Sequence, residues 1–524
     1  MWPNEQVVLL DEGHEKRWTS TPSSGPRRRG EARIMAITAS LLYDLVQCPH
    51  RVTMDLFGNP ADRDPISPFV ELLWERGNEY EKEVIGKLRQ PFLDLKALSP
   101  SEKQAATAEA MARKQPLIYG GRIVVDDLVG EPDILRMSAG GYIAGDIKSG
   151  AGEEGAGEES DKKPKKHYAV QLALYTDILE RLKLSASRLP FVWDVNGEEV
   201  VYDLEAPQGP RTPQSLWSYY HEQLDTARLI LGKKERTLPA FSSPCKLCHW
   251  YSSCKKALVA AHDLTLIPSL GRSRRDALSP RIRTVQALAG ADLAAIGKVP
   301  GIGPDMLRRF QVRARLLCEP GAKPFLTEPT TFPNVKRELF FDVETDPMRD
   351  VCYLHGFLDR TRDAGATERY VSFYAYDASP TAEKEAFSKA LAYVRQSRPC
   401  AIYHYSAYEK TIWRKLQEKY PDVATAEDVN GVFEAEDTVD LYLDIVAKKS
   451  EWPTNDYSIK TLAAYLGFSW RDPTPSGAAS IEWYHRWLES KDQGIRKRIL
   501  EYNEDDCVAL RVLLDGLKVF PVRA

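Results

Sequence analysis

Two acidic sets lie about 200 residues apart on this 524-residue chain. The first is Glu131 and Asp133, then Asp146 and Lys148, then Gln171 and Tyr175. The second is Asp342 and Glu344, then Glu409, then Tyr502 with Asp506. Carboxylates are hard ligands for divalent cations. Such cations polarise a phosphoryl oxygen and generate a nucleophile from water at neutral pH, which is what phosphodiester cleavage needs. A lysine two residues past a carboxylate can orient water or hold developing negative charge. A third group is sulfur: Cys245, Cys248 and Cys254, with Cys48 nearly 200 residues upstream. Three thiols within ten residues fit buried free cysteines poorly and are candidate metal ligands, zinc among the metals they could take.

The elements that must position these residues are legible in outline. Residues 36–60 and 68–115 have helical pattern, and four short strands separated by glycine turns follow between 117 and 149. A strand at 141–148 places Asp146 and Lys148 on one face, and a hairpin brings Asp133 beside them. Gln171 and Tyr175 fall one helical turn apart within a helix over 167–183. Residues 150–166 form a Gly/Glu/Ser-rich loop. The strand 338–345 is apolar apart from Asp342 and Glu344, which share a face. A strand from 401 runs into a helix bearing Glu409, a further helix opens at 457–462, and Tyr502 and Asp506 are placed at i and i+4 ahead of an apolar helix. An isolated Asp-x-Lys or Asp-x-Glu is usually a solvated strand end; the ordered sets are what carry the reading.

Composition bounds the rest. The chain is 43% hydrophobic and 28% charged with net charge −4, as expected of two to four soluble domains without a basic field. No apolar run approaches the ~20 residues of a membrane span, so no membrane partner is expected. Cysteines at ligand spacing point to a reducing cytoplasm. Cys318, Cys352, Cys400 and Cys507 read as ordinary thiols. Residues 1–34 lack the apolar core of a signal peptide and read as a disordered extension, with Met35 a plausible natural start. Four prolines between 319 and 335 mark a linker. The domains expected are thus 35–260, a helical connector at 261–318, the linker, and 336–524.

The first set resembles the PD-(D/E)xK nucleases, specifically their RecB-like branch with a trailing Gln-xxx-Tyr, over about residues 36–258. The resemblance implies a restriction-endonuclease-like α/β/α core in which Asp133 and Asp146 hold metal, Lys148 orients water or stabilises charge on the phosphate, and Gln171 and Tyr175 complete the site. Where that branch has an upstream histidine, this chain has Tyr80 beside Glu81, and Glu81 is the candidate substitute ligand. Cys48, Cys245, Cys248 and Cys254 resemble the iron–sulfur members of the branch, implying a [4Fe–4S] cluster that staples the two ends of the domain together. Residues 296–304, with Gly301, Gly303 and then Arg308, resemble a helix–hairpin–helix that offers backbone N–H groups to a nucleic-acid phosphate; a helical spacer is the equal alternative.

The second set resembles the DnaQ-like exonucleases of RNase H-like fold, in the tyrosine variant and nearest the YprB type, over about residues 336–518. This implies an α/β domain in which Asp342, Glu344, Glu409 and Asp506 bind two Mg²⁺ or Mn²⁺ ions and Tyr502 positions water. Glu409 stands where that family usually has Asp. Together these resemblances imply an α/β multidomain nuclease acting on DNA, with single-stranded or free ends as the favoured substrate, in repair, recombination or defence. RNA processing, or a binding scaffold with decayed sites, are the alternatives. With no phosphate-binding Gly-x4-Gly-Lys loop, unwinding falls to a separate helicase.

Overall fold

The computed structural model describes residues 35–155, 162–209, 213–362 and 367–523. The extension 1–34, expected to be disordered, lies outside them, as does 156–161 within the Gly/Glu/Ser-rich loop. Two units are present, residues 35–239 with 244–252 and residues 240–243 with 253–523. No helix of the described residues is long and apolar enough to cross a membrane.

In the N-terminal unit, a helix α1 (Pro68–Gly86) precedes strands β1 (Leu93–Asp94), β2 (Leu117–Tyr119), β3 (Ile134–Ser138) and β4 (Gly141–Ile147). Then come a helix α2 (Lys166–Arg181) and strands β5 (Phe191–Trp193) and β6 (Glu199–Val201). These strands form one six-stranded sheet in the order β6-β5-β4-β3-β2-β1. The β3–β4 pairing is antiparallel with Ile134 opposite Gly145, and β4–β5 is parallel with Asp146 opposite Val192. That hairpin puts Asp133 beside Asp146, as its sequence spacing requires. Nearly every residue of α2 is buried, so it is a core helix rather than an amphipathic one.

The C-terminal unit begins with a helical connector that includes α3 (Pro304–Cys318). Its sheet comprises β7 (Arg337–Asp346), β8 (Val351–Thr361), β9 (Thr367–Tyr374), β10 (Ala401–His404) and β11 (Thr438–Asp440), in the order β9-β8-β7-β10-β11. The first three strands are antiparallel, and β10 and β11 join in parallel. A sheet covered on both faces needs apolar residues at both phases of the pleat. Accordingly Leu339, Phe341 and Val343 pack with Phe387 and Trp413 on one face. Phe340 packs with Leu510, Leu513 and Leu514 on the other. Those leucines belong to α8 (Gln493–Leu517); the helices before it include α4 (Pro380–Ser397), α5 (Tyr408–Lys419), α6 (Ile459–Tyr465) and α7 (Gly477–Ser490).

Two elements differ from the sequence expectation. Tyr502 and Asp506 lie within α8 rather than before it, because the polar stretch from Gln493 is helical too, capped by the Asp492 side chain on the Gly494 N–H. The Pro-rich stretch 319–335 is stitched to its own unit: Phe325–Leu326 pairs with Ser450–Glu451, and the Leu326 N–H donates to the Pro521 carbonyl at 2.9 Å.

Candidate functional site

Period-two geometry on β7 sends Asp342 and Glu344 to the face that α8 covers, and α8 delivers Asp506 to the same point. Ligand oxygens of these three residues lie within 4.8 Å of one another, the one such group of three or more His, Cys, Asp or Glu among the described residues. Asn503 Nδ2 donates to Asp342 Oδ2 at 2.6 Å, and its own carbonyl accepts from the Tyr370 hydroxyl at 2.7 Å. Tyr353 hydroxyl lies 3.4 Å from Glu344 Oε2 and 2.8 Å from the Ser480 hydroxyl.

Close approach of α8 depends on a glycine. Gly356 sits opposite Asp342 in the β7–β8 ladder, and a Cβ there would meet Asn503 Oδ1 at 1.6 Å. We expect Gly356→Ala to cut metal-dependent activity by about tenfold or more, since ångström-scale misplacement carries that cost. Activity assays on the variant and on Gly356→Ala/Asn503→Ala, where the obstacle is shortened, check this.

Three groups not singled out from the sequence, Lys460, Trp470 and Asn503, complete the site. Ser458 caps α6 through the Thr461 N–H at 3.3 Å, which places Lys460 in the first helical turn. A cation is disfavoured by the helix dipole at that end, but Lys460 is held by Asp506, with Nζ 3.2 Å and 3.4 Å from its two oxygens, and donates to the Tyr502 hydroxyl at 2.9 Å. Trp470 Nε1 donates to Asp506 Oδ1 at 2.7 Å. Lys460 falls in the stretch read as opening a helix, and Asn503 follows Tyr502 directly. Their signal was present, but nothing local says that either side chain points at the carboxylates.

Glu409 is buried at the start of α5, outside the close trio. Its Oε2 has no hydrogen-bond partner and lies 3.5 Å from His404 Nδ1. Asp440 shapes this corner: its Oδ1 accepts from the Ser406 N–H at 2.9 Å and the Leu443 N–H at 2.8 Å.

Electrostatically the trio is unfinished. Burial, then repulsion from Asp506, Glu344 and Glu409, raises the Asp342 carboxyl well above its ordinary range. Burial and Asp506 push Glu344 up to about 8, against the pull of Lys460. Burial also raises Glu409, with His404 opposing it. Hard oxygen donors that repel one another fit a divalent cation. Because the folded chain holds a proton here that the unfolded chain has lost, its metal-free stability falls as pH rises from the unfolded glutamate value of about 4.5 toward 8. Mn²⁺ must displace that proton, so its apparent affinity should rise by up to about tenfold per pH unit over the same window. Calorimetric titrations at several pH values measure it.

In the first set Asp133 and Asp146 are neighbours, with the Asp133 N–H 3.4 Å from Asp146 Oδ1, but its carboxylates do not close on one point and are held by other groups of the chain. Asp133 Oδ2 accepts from the Ile147 N–H at 3.0 Å, and Asp146 Oδ2 lies 3.1 Å from Lys148 Nζ, both residues buried. Glu131 pairs with Arg122 and lies 3.7 Å from Lys103. Glu81 accepts from Lys96 and from the Tyr119 hydroxyl, the latter at 2.8 Å. Tyr80 turns away to donate to the Asp194 carbonyl. Gln171 and Tyr175 are buried on α2, and Gln171 Oε1 lacks a hydrogen-bond partner.

Near Cys248, burial first and then the Cys245 and Cys48 thiols contribute to a thiol raised to about 11. Cys254 lies on the helix Tyr251–Ala260. In the connector, Gly301 has φ of 73° and nothing lies within 4 Å of a Cβ built there or on Gly303. Arg308 pairs with Asp305 on the exposed side of α3.

Among known proteins, residues 339–518 match the family model of the RNase_H superfamily. No curated protein matches the chain. The match spans β7 to α8 and contains the whole carboxylate trio. The C-terminal region therefore has an RNase H-like fold, which supports a nuclease-type, metal-dependent hydrolase acting on nucleic acid.

Proposed function

We propose that this protein is an exonuclease that degrades DNA from free, preferably single-stranded ends, with Asp342, Glu344 and Asp506 as its working metal site. The observation that carries this reading is the contrast between the two acidic sets. Three carboxylates converge within 4.8 Å around one lysine in the C-terminal unit, whereas each carboxylate of the first set faces a cation of the chain. Bound Mg²⁺ or Mn²⁺ would polarise the phosphoryl oxygen and make water acidic enough to attack.

The chain's own residues do the rest. An ammonium only donates, so the Tyr502 hydroxyl accepts from Lys460 and turns its own proton elsewhere. In the working state that proton orients the attacking water. Glu409, a buried carboxylate that lies 3.5 Å from His404 Nδ1, is the further carboxylate that a second ion would recruit. Tyr502 also lines a cavity with Arg471, Asp472, Pro473, Arg498 and Glu501, where Arg498 pairs with Asp472 and Arg471 with Asp505 and Glu504.

The remaining assignments rest on sequence resemblance. Residues 35–260 are proposed as a RecB-like unit, with Cys48, Cys245, Cys248 and Cys254 as ligands of a [4Fe–4S] cluster. The soft thiol set and the nearness of the Cys245 and Cys48 thiols to Cys248, felt in its raised thiol, support it. Gly301, Gly303 and Arg308 are proposed to hold a nucleic-acid phosphate, supported by the open space about both glycines.

The test is degradation of 5′- and 3′-end-labelled DNA and RNA strands with Mn²⁺ by the wild type, Asp146→Ala and Asp342→Ala. The proposal expects shortening from one DNA end, lost in Asp342→Ala and kept in Asp146→Ala. Preference for RNA, or loss only in Asp146→Ala, would overturn it.

A further inference from the structure

The first acidic set already contains a cation, the Lys96 ammonium, between the carboxylates of Glu81 and Asp133. Lys96 follows β1, where the Leu95 N–H donates to the Tyr119 carbonyl at 3.0 Å and the Lys96 N–H to Asp94 Oδ1 at 2.9 Å. From that sheet edge its side chain reaches inward. Nζ donates to Glu81 Oε1 and lies 3.5 Å from Asp133 Oδ1 and 5.6 Å from the Tyr119 ring centroid. The two carboxylates it bridges come from α1 and from the turn before β3, elements far apart in sequence and joined here by one ammonium.

A seat is built for this lysine. Gly120 has φ of 65°, and a Cβ there would meet Lys96 Cα at 3.0 Å and Cδ at 3.1 Å. The left-handed backbone and the missing side chain thus let the lysine stem lie against the chain. Lys148 serves Asp146 in the same way at 3.1 Å. Glu81, Asp133 and Asp146 therefore do not fit an open divalent-metal site as they stand.

We propose that Lys96 is the resident cation of the N-terminal acidic set, and that a divalent ion binds there only by displacing its ammonium from Glu81 and Asp133. A tethered monocation competes with a free dication for the same oxygens without any loss of translational freedom, so it suppresses metal loading at ordinary concentrations. This goes beyond the reading of the C-terminal trio and can be tested independently of it.

Calorimetric Mn²⁺ titrations of the full chain in an Asp342→Asn/Asp506→Asn background silence the trio. In that background the chain with Lys96 intact should bind Mn²⁺ weakly at the first set. Lys96→Met should bind at least about tenfold more tightly, and Asp146→Asn or Asp133→Asn should remove the gain. Lys96→Arg retains the charge and should stay weak. Lys96→Gln is the smaller polar control if Lys96→Met folds poorly, with folding followed by circular dichroism. Unchanged or weaker Mn²⁺ binding in the folded neutral variants would overturn the proposal. So would a gain that survives loss of Asp133 and Asp146.

Discussion

Asp506→Asn should lower metal-dependent hydrolysis by about a thousandfold, roughly 4 kcal/mol of barrier, while making the metal-free chain more stable. The two effects have one cause. Asp506 is the second-largest influence on both Asp342 and Glu344, after burial itself, and in each case it raises the carboxyl. Neutralising it relieves repulsion in the metal-free chain, and the same change removes a ligand and leaves Lys460 without its partner. Without the compensating charge, the hydroxyl of Tyr502 and the water it orients lose their reference point. Turnover assays, together with melting curves in chelator and in Mn²⁺, separate the two. The wild type should gain thermal stability from Mn²⁺ and the variant little. A variant destabilised in chelator and stabilised as much as wild type by Mn²⁺ would mean that the trio is not the metal site.

Glu451→Ala should cost about 3–5 kcal/mol of stability, the usual consequence of stranding a buried charge. Glu451 is 2% exposed and Arg313 4%. Glu451 accepts from Arg309, from Arg313 Nε at 2.7 Å and from the Tyr457 hydroxyl at 2.9 Å. Arg313 continues to the Pro268 carbonyl at 2.8 Å, and Asn455 Nδ2 donates to the Leu266 carbonyl at 3.0 Å. The connector is thus fastened to the RNase H-like fold by a buried ion pair rather than hung from a flexible linker. Denaturant titration should show the full loss in Glu451→Ala, and partial recovery in Glu451→Leu/Arg313→Met, where no buried charge is left alone. If the single variant loses less than about 1 kcal/mol, the pair is a solvated contact.

Local pattern carried the strands and helices that hold both acidic sets, because Asp342/Glu344 at period two and Tyr502/Asp506 at i, i+4 are spacings that a strand and a helix turn directly into shared faces. The helical start of α8 was harder to see, since Gln493–Arg498 has no apolar stripe and is helical through its Asp492 cap and its continuation into the buried half.

What the sequence determined by itself was the inventory: which carboxylates exist, their order, and that those of each set could converge. Tertiary structure decided which cations meet them. Lys96 lies 15 residues beyond Glu81 and 37 before Asp133, and Lys460 lies 46 before Asp506. No periodicity links such pairs; only the sheet edge at β1 and the capped start of α6 bring the ammonium groups in. The two sets look alike as sequence, yet one is already neutralised and the other is left needing charge. That difference arises from contacts across the folded chain, which bring Lys96, Lys148 and Arg122 to the carboxylates of the first set and only Lys460 to those of the second.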